Sequence, residues 1–165
     1  MNRTIIKLFF YLCILTALPS YAQNAVHYYF KTMDIRNGLS QNTVYQILQD
    51  RKGFMWFGTK DGLNRYDGLS YRVYKKENSG LGKNFITALY EDHEGNIWIG
   101  TDGGVFIYNP VLDSFTAFNQ TSDKGTVIKD FVTMIGSDEY DNIWISVENQ
   151  GLFCYNHEKR LRNYL

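Results

Sequence analysis

One phrase of polar residues, glycine and tryptophan occurs three times in this chain. It restricts the fold more than any other feature. Asp50-Arg51-Lys52-Gly53-Phe54-Met55-Trp56-Phe57-Gly58-Thr59 is echoed by Asp92-His93-Glu94-Gly95-Asn96-Ile97-Trp98-Ile99-Gly100-Thr101. It returns with changes as Asp138-Glu139-Tyr140-Asp141-Asn142-Ile143-Trp144-Ile145-Ser146-Val147. The phrases hold all three tryptophans of the chain, spaced by 42 and then 46 residues. Such a period belongs to repeat architectures, in which one unit cannot bury its apolar face alone and needs a neighbour.

Each unit resolves into four short runs rich in Ile, Val, Tyr, Phe, Trp and Thr, none containing proline. That is strand chemistry. The expected strands are 44–49, 54–58, 63–66 and 71–74 in the first unit. They are 86–91, 96–100, 105–108 and 114–118 in the second, and 132–136, 142–146, 152–155 and 161–164 in the third. Strands this close together pair as antiparallel hairpins, because parallel pairing needs a long crossover. Four antiparallel strands per unit, with Trp and Gly at fixed places, describe a β-propeller blade. The expected fold is therefore all-β, a partial propeller of about three four-stranded antiparallel blades behind a signal peptide. The divisions are 1–22 signal peptide, 23–43 lead-in, 44–85 first blade, 86–131 second and 132–165 third.

The recurring polar residues have turn roles. Asp50 and Gly53, like Asp92 and Gly95, occupy the preferred first and last places of a type I turn. The Asp carboxylate can accept backbone N–H bonds there. The third unit has Asp141 in place of the glycine, so a strained turn is expected. Gly58 and Gly100 should permit close backbone approach near the crowded centre, with Ser146 as the small substitute. Each repeat Trp should pack against the neighbouring blade.

The first 22 residues read as a secretory signal: Arg3 and Lys7, an apolar run from Leu8 to Leu18, Pro19, then Ser20-Tyr21-Ala22 before cleavage. The run is well short of the roughly 20 residues a membrane-spanning helix needs. Cleavage after Ala22 removes two positive charges and leaves a net of −2, with no basic patch for nucleic acid. Cys154 alone survives of the two cysteines, so no internal disulfide is available. The expected location is periplasmic. In the lead-in, His27–Met33 reads as a strand that would complete a last blade. An unpaired strand edge is a template for association, so the isolated chain is expected to be marginal or to associate.

Chemistry-bearing residues give no assigned site. His27, His93 and His157 fall at unrelated repeat positions, without the close ligand pairs of structural zinc. The calcium-loop pattern is absent around the turn aspartates. Asp61, Glu91, Asp92, Glu94 and Asp102 could supply a glycosidase pair, but their recurrence points to architecture. Ser40, Ser70 and Ser79 lack a nucleophile elbow. The glycines of 100–104 precede no helix that could receive a phosphate. The aromatic residues invite sugar stacking, but their recurrence in strands explains them first as packing. Loop residues on a rigid scaffold are better ligand candidates, so Lys60, Asp61 and Asp102 are the positions to inspect. No catalytic, cofactor or metal residue is expected, and the ligand-binding residues stay open.

Gly38-Leu39-Ser40-Gln41-Asn42-Thr43-Val44, followed by Asp50-x-x-Gly53-x-x-Trp56-x-Gly58-Thr59-x-x-Gly62-Leu63-Asn64-Arg65-Tyr66-Asp67-Gly68, resembles the opening of the two-component regulator propeller repeat. The second unit is similar through Trp98-Ile99-Gly100-Thr101 and Gly104-Val105-x-x-Tyr108-Asn109-Pro110. The third is similar in part, through Asn142-Ile143-Trp144-Ile145 and Gly151-Leu152-x-x-Tyr155-Asn156, with one extra residue between its Trp and its Tyr. The resemblance covers residues 28 to 165. It implies the N-terminal part of the periplasmic sensor region of a Bacteroidetes hybrid histidine kinase, itself an inner-membrane protein. It also implies an oligosaccharide as signal and no kinase activity in this stretch. The partners implied are the remaining blades of the parent sensor or another copy of the chain. Contact with the membrane is expected only through downstream parts. The alternatives are a fragment of a polysaccharide-active propeller enzyme, or a short self-assembling lectin-like propeller protein.

Overall fold

A computed structural model describes residues 27–156 and 158–164. The chain divides into Met1–Thr32 and Met33–Leu165. The expected signal peptide lies outside the described residues. Residues 27–33, expected as the strand of a last blade that these three sheets do not include, carry no strand pairing here, and Tyr28, Tyr29 and Phe30 are exposed. Apolar composition alone does not make a strand, because its N–H and C=O groups need an edge to pair with. A single 3-10 turn, Ile35–Asn37, follows, capped by Asp34.

The rest is three four-stranded antiparallel sheets in meander order. The first contains β1 (Val44–Gln49), β2 (Met55–Thr59), β3 (Gly62–Tyr66) and β4 (Tyr71–Tyr74). The second contains β5 (Ile86–Glu91), β6 (Ile97–Thr101), β7 (Gly104–Asn109) and β8 (Ser114–Ala117). The third contains β9 (Val132–Ser137), β10 (Ile143–Val147), β11 (Gly151–Tyr155) and β12 (Leu161–Asn163). The first strands of neighbouring sheets, β1, β5 and β9, lie side by side, so the sheets radiate as blades. Tyr45, Thr87 and Thr133 are each left out of register at the same place in their blades. Such a bulge adds local twist to a strand, and its repetition gives each innermost strand the same bend.

Two apolar clusters fill the two seams between blades. Trp56, Leu63 and Tyr74 pack with Ile86, Ile97, Ile99 and Tyr108 of the second blade. Trp98, Val105 and Phe118 pack with Val132, Ile145, Phe153 and Leu161 of the third. The Trp-x-Gly-Thr glycine makes this approach feasible. A Cβ on Gly58 would lie 2.7 Å from Ile86 Cγ2, and one on Gly100 would lie 2.7 Å from Val132 Cγ1. Real side chains do not come that close, so the expectation of tight approach holds at both positions.

The turn aspartates do more than the sequence suggested. Asp50 Oδ1 accepts from the Lys52 and Phe54 amides at 3.0 and 2.9 Å, and its Oδ2 accepts from Trp56 Nε1 at 2.8 Å. Asp92 holds Glu94, Asn96 and Trp98 in the same way, and Asp138 holds Tyr140, Asn142 and Trp144. One carboxylate thus closes the turn and fixes the indole six residues later. In the third turn Asp141 sits at φ +61°, where Gly53 and Gly95 sit at +88° and +84°. This is the left-handed region, unfavourable for a residue with a Cβ, and the expected strain is present.

Candidate functional site

The strands end at two faces, and the residues singled out from the sequence divide between them. Lys60, Asp61 and Asp102 occupy the β2–β3 and β6–β7 turns at one face. Lys60 places its ammonium 5.8 Å from the Phe85 ring centroid. Asp61 pairs with Lys75 at 2.6 Å, and Asp102 donates its backbone N–H to the Phe85 carbonyl. An aromatic row, Tyr45–Phe85–Phe131, runs beneath with centroids 4.9 and 5.6 Å apart. The three loop residues share a face but do not converge on one another. Glu91, Asp92 and Glu94 lie at the opposite ends of the strands. Ser40 is tied to Thr59 and Asn64, and Ser79 to the Lys75 carbonyl. His27 is exposed, His93 lies in the β5–β6 turn, and His157 falls outside the described residues.

At that second face the two seams diverge. Their matched positions follow from strand register: Arg65, Ile107 and Cys154 each stand opposite the repeat Trp of their blade. In the first seam, Trp56, Tyr74 and Tyr108 form a ring triangle with centroids 5.1–6.0 Å apart. Arg65 lies over it and donates to the Tyr108 hydroxyl at 3.0 Å. Tyr108 in turn donates to Asp113 at 2.7 Å, and Arg72 pairs with the same carboxylate at 2.8 Å. Burial, reinforced by the Asp113 carboxylate, pushes the Tyr108 hydroxyl well above the ordinary tyrosine range. The Tyr108 hydrogen bond and then Arg72 hold Asp113 below the usual carboxylate range. Arg51 stitches the rim, donating to the carbonyls of Asp92 and His93 at 2.9 and 2.7 Å. The seam is plugged.

The second seam keeps the triangle and lacks the plug. Trp98, Phe118 and Tyr155 have centroids 5.1–5.7 Å apart. Ile107 replaces the arginine, and Phe118 lacks the hydroxyl of Tyr74. His93, matching Arg51, reaches Asp141 only at 4.0 Å. Tyr108 is 1 % exposed, whereas its counterpart Tyr155 is half-buried. What remains is a cleft of about 430 Å³. Rings and Ile107 line its floor, while Glu94, Asp141, Lys159 and the amides of Asn96, Asn119 and Asn156 line its rim. Burial, then the nearby Glu94 charge, raises the Tyr155 hydroxyl. The sequence reading missed this cleft. Its signal was the change from Arg65 to Ile107, one 42-residue period apart, with strand register adding Cys154 as the third matched position.

Two stretches, residues 38–61 and 80–103, match the family model described as two component regulator propeller. Over 59 residues, 36 % of this chain, the sequence is 42 % identical to Histidine kinase P4 of Formosa agariphila, spanning 4 % of that relative's length. Among solved structures, the extracellular domain of BT3049 from B. thetaiotaomicron, described as a hybrid two component system, matches with TM-score 0.71 and 29 % identity. That match covers 81 % of this chain and 20 % of that one. The extracellular domain of BT4673 from the same organism matches with TM-score 0.67 and 29 % identity, over 77 % of this chain and 18 % of that one. PorZ, a surface component of the type-IX secretion system of Porphyromonas gingivalis, shares the fold at 15 % identity and TM-score 0.58, over 76 % of this chain and 22 % of its own. The chain thus spans about a fifth of the solved domains it resembles. Within it, residues 38–61 and 80–103 carry the two-component regulator propeller repeat.

Proposed function

We propose that this propeller chain is part of the extracytoplasmic sensor region of a hybrid two-component histidine kinase, and that a carbohydrate-derived ligand is its signal. The observation that carries this reading is the 29 % identity, over 81 % of the chain, to the extracellular domain of a hybrid two component system. The ring-floored cleft supports it chemically. Flat rings cover the apolar faces of pyranoses, and rim amides such as Asn96 and Asn119 offer both donors and acceptors to hydroxyls. In this reading the repeat carboxylates Asp50, Asp92 and Asp138 have a structural task, since they are engaged by turns and indoles.

Titration calorimetry of the purified chain against neutral, acidic and amino oligosaccharides tests the reading. Saturable binding of one class, with the others silent, is the expected result. Absence of heat from every class would remove carbohydrate as the signal for these blades.

A further inference from the structure

The first seam shows what this arrangement of rings can hold. The Arg65 guanidinium carbon lies 4.8 Å from the Phe54 centroid, 5.8 Å from Trp56 and 6.0 Å from Tyr74, with Tyr108 accepting its hydrogen bond. The matching residues of the next seam are Asn96, Trp98, Phe118 and Tyr155, and all four line the open cleft. Ile107, at the Arg65 position, carries no charge and is too short to fill that spot. The cleft is therefore the place where the preceding blade keeps a planar cation.

The charges around it agree. Asp92, Glu94 and Asp141 line the cleft against the ammonium of Lys159 and the imidazole of His93. Asp92 Oδ1 is engaged by two turn amides and its Oδ2 by Trp98 and Asn96. The carboxylates of Glu94 and Asp141 stay on the rim, more than half exposed. Ring faces attract a cation electrostatically, and acidic walls raise its local concentration.

We infer that the cleft between the second and third blades binds the ammonium or guanidinium group of a small ligand, in the position Arg65 fills one seam earlier. This is the cleft that supports the carbohydrate reading above, but the charge requirement is a separate claim and can fail without it. Two sources carry this chemistry, an amino sugar and a basic amino-acid derivative.

The test uses the full chain and three probes: the β-1,4-linked disaccharide of glucosamine, its N-acetylated form and agmatine. Trp fluorescence or calorimetry reads binding. At least one of the two charged probes should bind, and the uncharged N-acetylated form should bind about tenfold more weakly or not at all. Preference for the disaccharide identifies an amino-sugar ligand; preference for agmatine identifies a basic amino-acid derivative. Ile107→Arg should abolish binding by filling the cleft from within, and thermal unfolding reports whether that variant folds. Glu94→Gln combined with Asp141→Asn should weaken charged-probe binding about five- to tenfold by removing the rim attraction. Equal binding of the charged and acetylated disaccharides overturns the inference, as does binding undiminished in a folded Ile107→Arg chain or in the rim double variant. Silence from both charged probes overturns it as well. Binding of uncharged sugars alone sinks it while leaving the carbohydrate reading intact.

Discussion

Removal of the Asp92 carboxylate should unseat Trp98 and with it the second seam. Asp92→Ala deletes the acceptor of the indole N–H at 2.8 Å and the acceptor of the Glu94 and Asn96 amides at 3.0 and 2.9 Å. Trp98 is 3 % exposed, so its N–H has no water to turn to. A hydrogen bond to a charged group contributes about 1.5–3 kcal/mol, and a buried donor left unpaired costs about 1–3 kcal/mol. These are two views of one loss, so we count about 2 kcal/mol for the indole. The two turn amides can regain water, and about 0.5 kcal/mol each brings the sum to about 3 kcal/mol. That corresponds to a fall in Tm of roughly 10 °C for a domain of this size. Urea unfolding of wild type, Asp92→Ala, Trp98→Phe and the double variant measures it. The cycle should show a coupling of about 1–2 kcal/mol, because Trp98→Phe removes the donor whose partner Asp92 is. Asp138→Ala should be milder, since Trp144 is half-buried. A loss below about 1 kcal/mol for Asp92→Ala, or a coupling indistinguishable from zero, refutes the argument that the carboxylate holds the indole.

Gly100→Ala should destabilise by about 2 kcal/mol through its collision with Val132 and be partly rescued by Val132→Ala. Gly136→Ala, with nothing within 4 Å of the new Cβ, should be far milder; equal losses in chemical denaturation would contradict the crowding argument. Asp141→Gly should stabilise the third turn by about 0.5–1 kcal/mol by relieving a left-handed backbone, and an unchanged unfolding midpoint would count against the strain. Asp138 is held down to about 2, first by the Asn142 side chain and then by the Trp144 indole. Its folded value lies below its unfolded one, so its contribution is present above about pH 4 and fades as pH falls toward 2. The stability profile of Asp138→Asn should be flatter across that window, and a parallel profile would show that another group governs it.

Much of the fold was legible because its determinants are local. Strand composition, the Asp-to-Gly turns and the tryptophan spacing each act within a few residues, and β1, β4 and β5 form over the residues expected. The double duty of Asp92 was hidden, because turn chemistry alone already explained the residue. The lead-in over 27–33 stands unpaired for a different reason. Tyr28, Tyr29 and Phe30 carry strand composition, but composition cannot supply a pairing edge. The cleft was the least visible feature. It depends on Ile107 replacing Arg65 across two units, on Phe118 lacking one hydroxyl, and on strand register that places these differences over a single seam. The loop residues Lys60, Asp61 and Asp102 were found where expected, yet Lys60 meets the Phe85 ring, Asp61 meets Lys75 and Asp102 bonds Phe85 through its backbone, rather than sharing a centre.

The seam geometry also sets an order of events for a chain made from its N-terminus. Trp56 gains a full enclosure only when Tyr108 and Phe106 of the following blade are in place, and Trp98 only when Tyr155 and Phe153 arrive. No blade can finish alone, so a growing or translocating chain always carries one uncovered indole face at its leading blade. Pauses in synthesis or export therefore matter most just after a Trp-x-Gly-Thr phrase has emerged and before the next aromatic pair has followed. Such intervals are where a holding chaperone would have something to grip.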